Sequence, residues 1–171
     1  MIKTIVGIDP GSQFLGVGCV QKVGATIRYR YAEVLTAKKK DTLYPRLEVI
    51  LARLEILLDE LKPDEVAVED LFHALNARSA FHLGMARGVA IGACLRRGIP
   101  IFEYAPTQIK AVVTGHGRSD KAQVKKMVEL TLGQRLDVGF DATDALAVAI
   151  CHSATHRFEV PKSSLPRTRG L

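Results

Sequence analysis

No run of apolar residues in this 171-residue chain is long enough to span a bilayer, so a membrane-spanning helix is excluded. Cysteine is scarce. Cys19, Cys94 and Cys151 are odd in number, far apart and set in apolar stretches. That pattern excludes a disulfide framework and any cysteine-based zinc site. The three read as reduced core thiols, and the chain as cytoplasmic. No internal repeat occurs, which excludes solenoids and propellers. Met1-Ile2-Lys3-Thr4 runs straight into a strand-like segment, without the pattern of a secretory leader.

What is present is ordinary for a globular domain. Hydrophobic residues make up 47% and charged residues 25%. Residues 1–156 read as one domain, and the aperiodic segment 157–171 as a disordered basic tail. The net charge of +6 and a sequence pI near 9.4 favour a polyanionic partner.

The β-branched run Ile5-Val6-Gly7-Ile8 ends in Asp9 and is broken at once by Pro10-Gly11, which is turn chemistry. Asp9 therefore stands at the mouth of a strand, either capping its own turn or serving a site. Two further strands are expected at Leu15–Val20 and around Ile27–Tyr31. The glycines of the first suggest close passage of another backbone or a ligand. In the second, Ile27, Tyr29 and Tyr31 alternate with Arg28 and Arg30. Lys38-Lys39-Lys40 is either a solvated loop or a phosphate-contact patch. Leucines from Leu43 to Leu61 keep helical spacing, with Asp41 or Thr42 as cap. Glu65–Asp70 forms a strand with Val66 and Val68 on one face and Glu69 near its end.

A long helix is expected from Asn76 to about Arg97. Gly84, Gly88 and Gly92 recur every fourth residue on it, and that smooth face suits intramolecular packing, the expected use, or a subunit contact. After a short strand at Pro100–Tyr104, Pro106 opens a helix carrying Lys110. Ser119 is expected to cap the helix that carries Lys121 and Lys125. The last helix begins at Asp141-Ala142-Thr143-Asp144 and is otherwise almost wholly apolar, hence buried. Asp141 and Asp144 share one face of its first turn. If the strands ending in Asp9 and Glu69 are parallel neighbours, four carboxylates converge. Oxygen ligands in that number suit Mg²⁺, with Mn²⁺ able to substitute.

Gly7-Ile8-Asp9-Pro10-Gly11-Ser12, Val68-Glu69-Asp70-Leu71-Phe72, Ala86-Arg87-Gly88-Val89-Ala90, Phe102-Glu103-Tyr104-Ala105-Pro106 and Asp141-Ala142-Thr143-Asp144-Ala145-Leu146-Ala147 follow one another in a specific order. In that order they resemble the RuvC-type Holliday-junction resolvases, over about Ile5 to His152. The resemblance implies an α/β, ribonuclease H-like fold: a mixed five-stranded sheet, three antiparallel strands then two parallel, flanked by helices. It implies a homodimer that nicks four-way junction DNA, with two metal ions per subunit and handover from the RuvA–RuvB branch-migration machinery. Asp9, Glu69, Asp141 and Asp144 match the metal ligands, although some members carry His in place of Asp141. Lys110 and Lys121 match the basic residues near the scissile phosphate, and Phe72 the aromatic at the junction centre. DNA contacts are expected at Phe72, Arg78, Lys110, Arg118, Lys121 and Lys125. The rivals are an ATP-binding protein of the actin, heat-shock ATPase and sugar-kinase superfamily, a non-catalytic junction-binding module, and another nuclease of the same fold.

Overall fold

The protein is represented by a computed structural model that describes residues 2–11, 13–38, 42–70 and 77–156. Five strands form one sheet in the order β3-β2-β1-β4-β5. β1 (Ile2–Asp9), β2 (Phe14–Val23) and β3 (Thr26–Thr36) pair antiparallel. β4 (Glu65–Glu69) lies parallel to β1, and β5 (Ile101–Tyr104) parallel to β4. This is the ribonuclease H-like arrangement that the resemblance implies.

Alternation along the strands decides which residues face which helices. Val6, Ile8, Leu15, Val17, Val66 and Val68 are buried in one core with α1 (Leu43–Leu61) and α2 (Ala77–Leu95). The opposite face packs under α3 (Pro106–Thr114), α4 (Lys121–Leu132) and α5 (Phe140–Thr155). Asp9 shares that second face with Ile5 and Gly7, and Glu69 shares it with Glu65 and Ala67. The site-bearing carboxylates thus point towards α5 because the valines and isoleucines between them point away.

α5 is buried from Ala142 to Ser153, except for Asp144. It lies on the sheet through glycines. A Cβ on Gly7 would sit 2.0 Å from the Ala145 carbonyl oxygen, one on Gly16 2.0 Å from the Asp141 carbonyl oxygen, and one on Gly18 2.4 Å from the Leu146 amide nitrogen. The glycines of β1 and β2 therefore admit a helix backbone, as the second strand's composition suggests. Deeper in the same layer, buried His152 meets the Tyr104 hydroxyl through Nδ1 at 2.7 Å and the Glu65 carboxylate through Nε2 at 2.9 Å. Lys3 closes the chain at 3.0 Å from Glu65. Desolvation holds His152 below the ordinary imidazole range despite the Glu65 charge, so the ring is neutral and links two groups of opposite hydrogen-bonding need. Cys19, Cys94 and Cys151 are free and buried, and burial pushes each thiol up to about 11.

Three expectations are corrected. The alternation of Ile27, Tyr29 and Tyr31 on one face breaks at a bulge, because the register shifts between Cys19 and Val20. Arg30 is the extra residue, and its guanidinium donates to the Leu61 carbonyl at 2.7 Å. Tyr31 consequently packs with the α1 core, while Ile27 and Tyr29 pack with the α5 core. The cap of α4 is Asp120, not Ser119. Asp120 accepts from the Gln123 amide at 2.8 Å while the Gln123 side chain accepts from the Asp120 amide, a complete capping box. Ser119 instead turns inward to the Thr114 hydroxyl at 2.6 Å. Finally, Gly84, Gly88 and Gly92 do not pack against the sheet or another helix: a Cβ on any of them would meet open space.

Candidate active site

Asp9 ends β1 and Glu69 ends β4. Because Ile8 pairs with Val68, the two carboxylates emerge side by side. α5 brings the other two acids from above, with Asp141 in its first turn and Asp144 one turn on. Carboxylate oxygens of Asp9, Asp141 and Asp144 all lie within 4.8 Å of one another, a group able to hold a metal ion. Glu69 hydrogen-bonds Asp9. A cleft of about 230 Å³ opens onto this cluster, lined by Asp9, Glu69 and Asp144 together with Lys110 of α3 and Lys121 of α4.

The electrostatics are those of an anionic hole with Lys121 as a close counter-charge. Desolvation, the Glu69 hydrogen bond and the charges of Glu69, Asp144 and Asp141 push Asp9 up to about 9. Desolvation and Asp144 also raise Glu69, against the opposing pull of Asp9, Lys121 and Lys110. Left to itself the pair keeps a proton near neutrality, as carboxylates this close must. Lys121 is the first residue of α4, where an ammonium opposes the helix dipole. It stays because Asp144 lies 2.9 Å from its Nζ and Asp141 3.7 Å. Desolvation works against the ammonium, but those carboxylates outweigh it and hold Lys121 above its usual range.

Asp9, Glu69, Asp141, Asp144, Lys110 and Lys121 are therefore brought together. Arg118 is exposed in the turn before α4 and does not line the cleft. Lys125 points to the Val138 carbonyl, 2.9 Å away, and its ammonium sits 5.9 Å from the centre of the Phe140 ring. Arg78 lines a different groove, shared with Tyr44 and Arg46. Phe72 lies outside the described residues. Sequence reasoning passed over Arg87. Its guanidinium lies 3.6 Å from Asp70 and against Glu103, tying the end of β4, just past Glu69, to β5 and α2. Its signal was its place in the Ala86–Ala90 motif, which was quoted for resemblance and not for chemistry.

The family model described as "Crossover junction endodeoxyribonuclease RuvC" matches residues 5–152. The chain belongs to the RuvC family. Among curated RuvC proteins, that of Trichlorobacter lovleyi is 43% identical over 158 residues, covering 91% of this chain and 88% of the relative. That of an Enterobacter species is 40% identical over 171 residues, covering 99% and 98%. RuvC of T. thermophilus, solved in complex with a Holliday junction substrate, superposes with a TM-score of 0.82 at 33% identity, covering 88% of this chain and 93% of the other. The match takes in both strand-end acids, the α5 pair and the two lysines. The RuvC fold thus accounts for the mixed sheet, and the ATP-binding reading is not favoured. Among the described residues, no helix is long and apolar enough to cross a membrane.

Proposed function

We infer that this chain is a crossover-junction endodeoxyribonuclease, hydrolysing phosphodiesters at four-way DNA junctions in a metal-dependent reaction. The observation that carries this reading is the convergence of Asp9, Asp141 and Asp144 within 4.8 Å, in a chain whose RuvC match spans the whole fold. The donor set is all carboxylate oxygen, which fits Mg²⁺ or Mn²⁺ and not a thiolate- or imidazole-seeking ion. Asp9, Glu69, Asp141 and Asp144 would hold two ions per subunit. Such ions supply charge to the attacking and leaving oxygens of an in-line displacement. The upward push on Asp9 and Glu69 from burial and from their acidic neighbours is the mark of a site short of positive charge. A panel of four-way junctions, duplexes and RNA–DNA hybrids, each incubated with and without Mg²⁺, tests the reading. Selective junction nicking is expected, and equal cutting of hybrids would replace the reading with another nuclease of this fold.

Lys121 and Lys110 face the carboxylates across the cleft and neutralise phosphate charge there. Lys121 crosses the cleft to Asp144 and gives up that contact to a phosphate. Lys121→Ala is expected to slow cleavage by about 10²-fold, the lower range for removing one donor to a developing charge. Junction affinity should stay within a few-fold and the fold should be kept, because relief of the dipole at the start of α4 offsets part of the lost Asp144 contact. A single-turnover assay at saturating enzyme checks this: a wild-type rate would reduce Lys121 to a surface charge. Phe72, three residues past Glu69, is the aromatic proposed to stack on a base at the crossover.

The protein works as a homodimer, whose two-fold symmetry suits paired nicks. Its contact is the outward face of α2. Phe81, Gly84, Gly88, Ile91 and Leu95 recur at alternate spacings of three and four, the seam of a helix pair. Phe81 and Leu95 are 61% and 64% exposed, and the glycines leave room for a second backbone. Gly88→Glu is expected to leave the monomer folded, since Glu is the better helix former by about 0.5 kcal/mol. It should shift the protein from dimer to monomer by analytical ultracentrifugation, through like charges meeting across the axis. An unchanged sedimentation coefficient would move the interface elsewhere. A DNA substrate fits a cytoplasmic enzyme, and the branch-migration complex RuvA–RuvB is the proposed source of its junctions.

A further inference from the structure

β1, β4 and α5 carry the four acids at one end of the sheet, and the same three elements are joined again at the other. Lys3 shares a face of β1 with Asp9, and Glu65 shares a face of β4 with Glu69. On α5, His152 follows Asp144 by eight residues. Lys3, Glu65 and His152 form one hydrogen-bonded chain, which Tyr104 of β5 completes. Desolvation raises Glu65, but its bonds to His152 and Lys3 outweigh that and hold the carboxyl below its ordinary range, so it only accepts. Nε2 of His152 therefore carries the ring's proton, and Nδ1 accepts from the Tyr104 hydroxyl. Phe102 and His156 pack on the ring, with centroids 4.6 and 4.8 Å away, and fix its plane.

Two path lengths match across this pair of joints. Glu65 to Glu69 is four steps of strand, about 13 Å. Asp144 to His152 is eight steps of helix, about 12 Å. A bond between Glu65 and His152 thus brings Asp144 level with Glu69, and the Asp144 charge bears directly on Glu69. Elsewhere α5 rests on Gly7, Gly16 and Gly18 and on an apolar core. Those contacts set how near the helix lies, but apolar burial has no direction. A hydrogen bond confines its partners to a few tenths of an ångström, so it sets where along its axis the helix stops. Lys22 of β2 also reaches α5, at the Ser153 carbonyl, but β2 carries none of the four acids.

We propose that His152 is a positioning residue for the carboxylate site: its bond to Glu65 fixes α5 along β4 and so holds Asp144 and Asp141 at ligand distance from Asp9 and Glu69. The bond to Tyr104 has a different part, since β5 carries none of the acids; it orients the ring so that Nε2 faces Glu65. Lys3 balances the Glu65 charge and lets the carboxylate stay ionised at the joint. The consequence for metal binding rests on the metal-dependent nuclease reading, and the test separates the two.

The test compares His152→Gln with His152→Asn. A Gln carboxamide reaches as far as Nε2 and still donates to Glu65; an Asn carboxamide reaches only as far as Nδ1 and meets Tyr104 alone. Both lose the ring, so a merely structural His152 would lower both melting temperatures and leave their metal affinities alike. Mn²⁺ affinity is measured by isothermal titration calorimetry, without DNA, below the melting temperature of each variant. His152→Asn should bind Mn²⁺ about tenfold more weakly than wild type, the lower range for losing a group that orients metal ligands. His152→Gln should stay within a few-fold of wild type, and so should Tyr104→Phe. In Mg²⁺, single-turnover junction cleavage by His152→Asn should fall by up to about 10²-fold, the scale of a 1 Å misplacement. Its junction affinity in chelator should not change. Equal Mn²⁺ affinities in the two folded His152 variants overturn the proposal, as does a loss in Tyr104→Phe as large as that in His152→Asn. If His152→Asn does not fold, Glu65→Ala, which breaks the same joint from the strand side, is read in its place. If wild type itself binds no Mn²⁺, the metal-dependent reading fails. Crystal structures of the two His152 variants then decide: the Asp144 to Glu69 separation should change in the Asn protein and not in the Gln protein, and an unchanged separation in both overturns the proposal.

Discussion

Asp9→Asn is expected to leave no detectable junction nicking and, in chelator at neutral pH, to raise the melting temperature. The first effect follows from position: Asp9 is the acid that touches both Glu69 and the α5 pair, so its loss breaks the ligand set at its centre. The second follows from linkage. The Asp9 carboxyl rises from 3.8 to about 9 on folding, chiefly through desolvation and then through Glu69, Asp144 and Asp141. A group whose folded value is raised gives stability that is fully present below its unfolded value. That stability is lost as pH rises towards the folded value. Wild type without metal should therefore lose stability between about pH 4 and 9, and the amide, which does not titrate, should not. The gain in melting temperature should be absent near pH 4 and widen towards pH 8, at roughly 2–4 °C per kcal/mol. Excess Mg²⁺ should reverse the order, stabilising wild type and leaving the variant unmoved. Scanning calorimetry across that pH range, with and without Mg²⁺, supplies both readouts. Near-normal nicking by the variant, or identical pH profiles in chelator, would remove Asp9 from the centre of the site.

The site was readable in the sequence because its residues sit where strong local signals end. A β-branched run stopped by Pro10-Gly11 places Asp9, and a run of alternating valines places Glu69. The apolar length of α5 forces its first turn against the sheet and carries Asp141 and Asp144 to the strand ends. What was not readable depends on tertiary pairing. The bulge that turns Arg30 inward is a register event between two strands, with no mark in either strand alone. Asp120 and Ser119 are both good caps, and the contest was settled by the Thr114 hydroxyl claiming Ser119 from the end of α3. The glycines of α2 suggest intramolecular packing, and the structure turns them to open space; an outward and an inward smooth face have the same spacing, so the sequence could not tell them apart. Glu65 and His152 are far apart in sequence and carry no motif, so their buried contact could only be seen in the folded chain.

Gly16→Ala should be among the most damaging single-methyl changes in the protein, costing at least about 3 kcal/mol and abolishing cleavage below its own melting temperature. Overpacking a core commonly costs about 1–3 kcal/mol, and it is at its worst where the obstructing atom cannot rotate away. Here the new Cβ would lie 2.0 Å from the Asp141 carbonyl oxygen and 2.7 Å from its carbon, both backbone. No rotamer relieves that contact, so α5 must lift from the sheet at its N-terminal end. That end carries Asp141 and Asp144, while Gly16 pairs with Asp9 in the neighbouring strand. The same displacement that weakens packing therefore opens the carboxylate cluster. At about 2–4 °C per kcal/mol, a fall of roughly 6–12 °C in melting temperature is expected. The stabilisation that Mg²⁺ gives wild type should also disappear, a readout that distinguishes a moved site from a merely weaker core. Gly7→Ala meets Ala145 and Ala149, a turn or more further along α5, and should cost similar stability. Its effect on the Mg²⁺ response should be smaller, because the obstruction lies beyond Asp144. If Gly16→Ala keeps its Mg²⁺-dependent stabilisation while Gly7→Ala loses it, the close approach of β2 to α5 is not what sets the distance between Asp9 and the α5 acids.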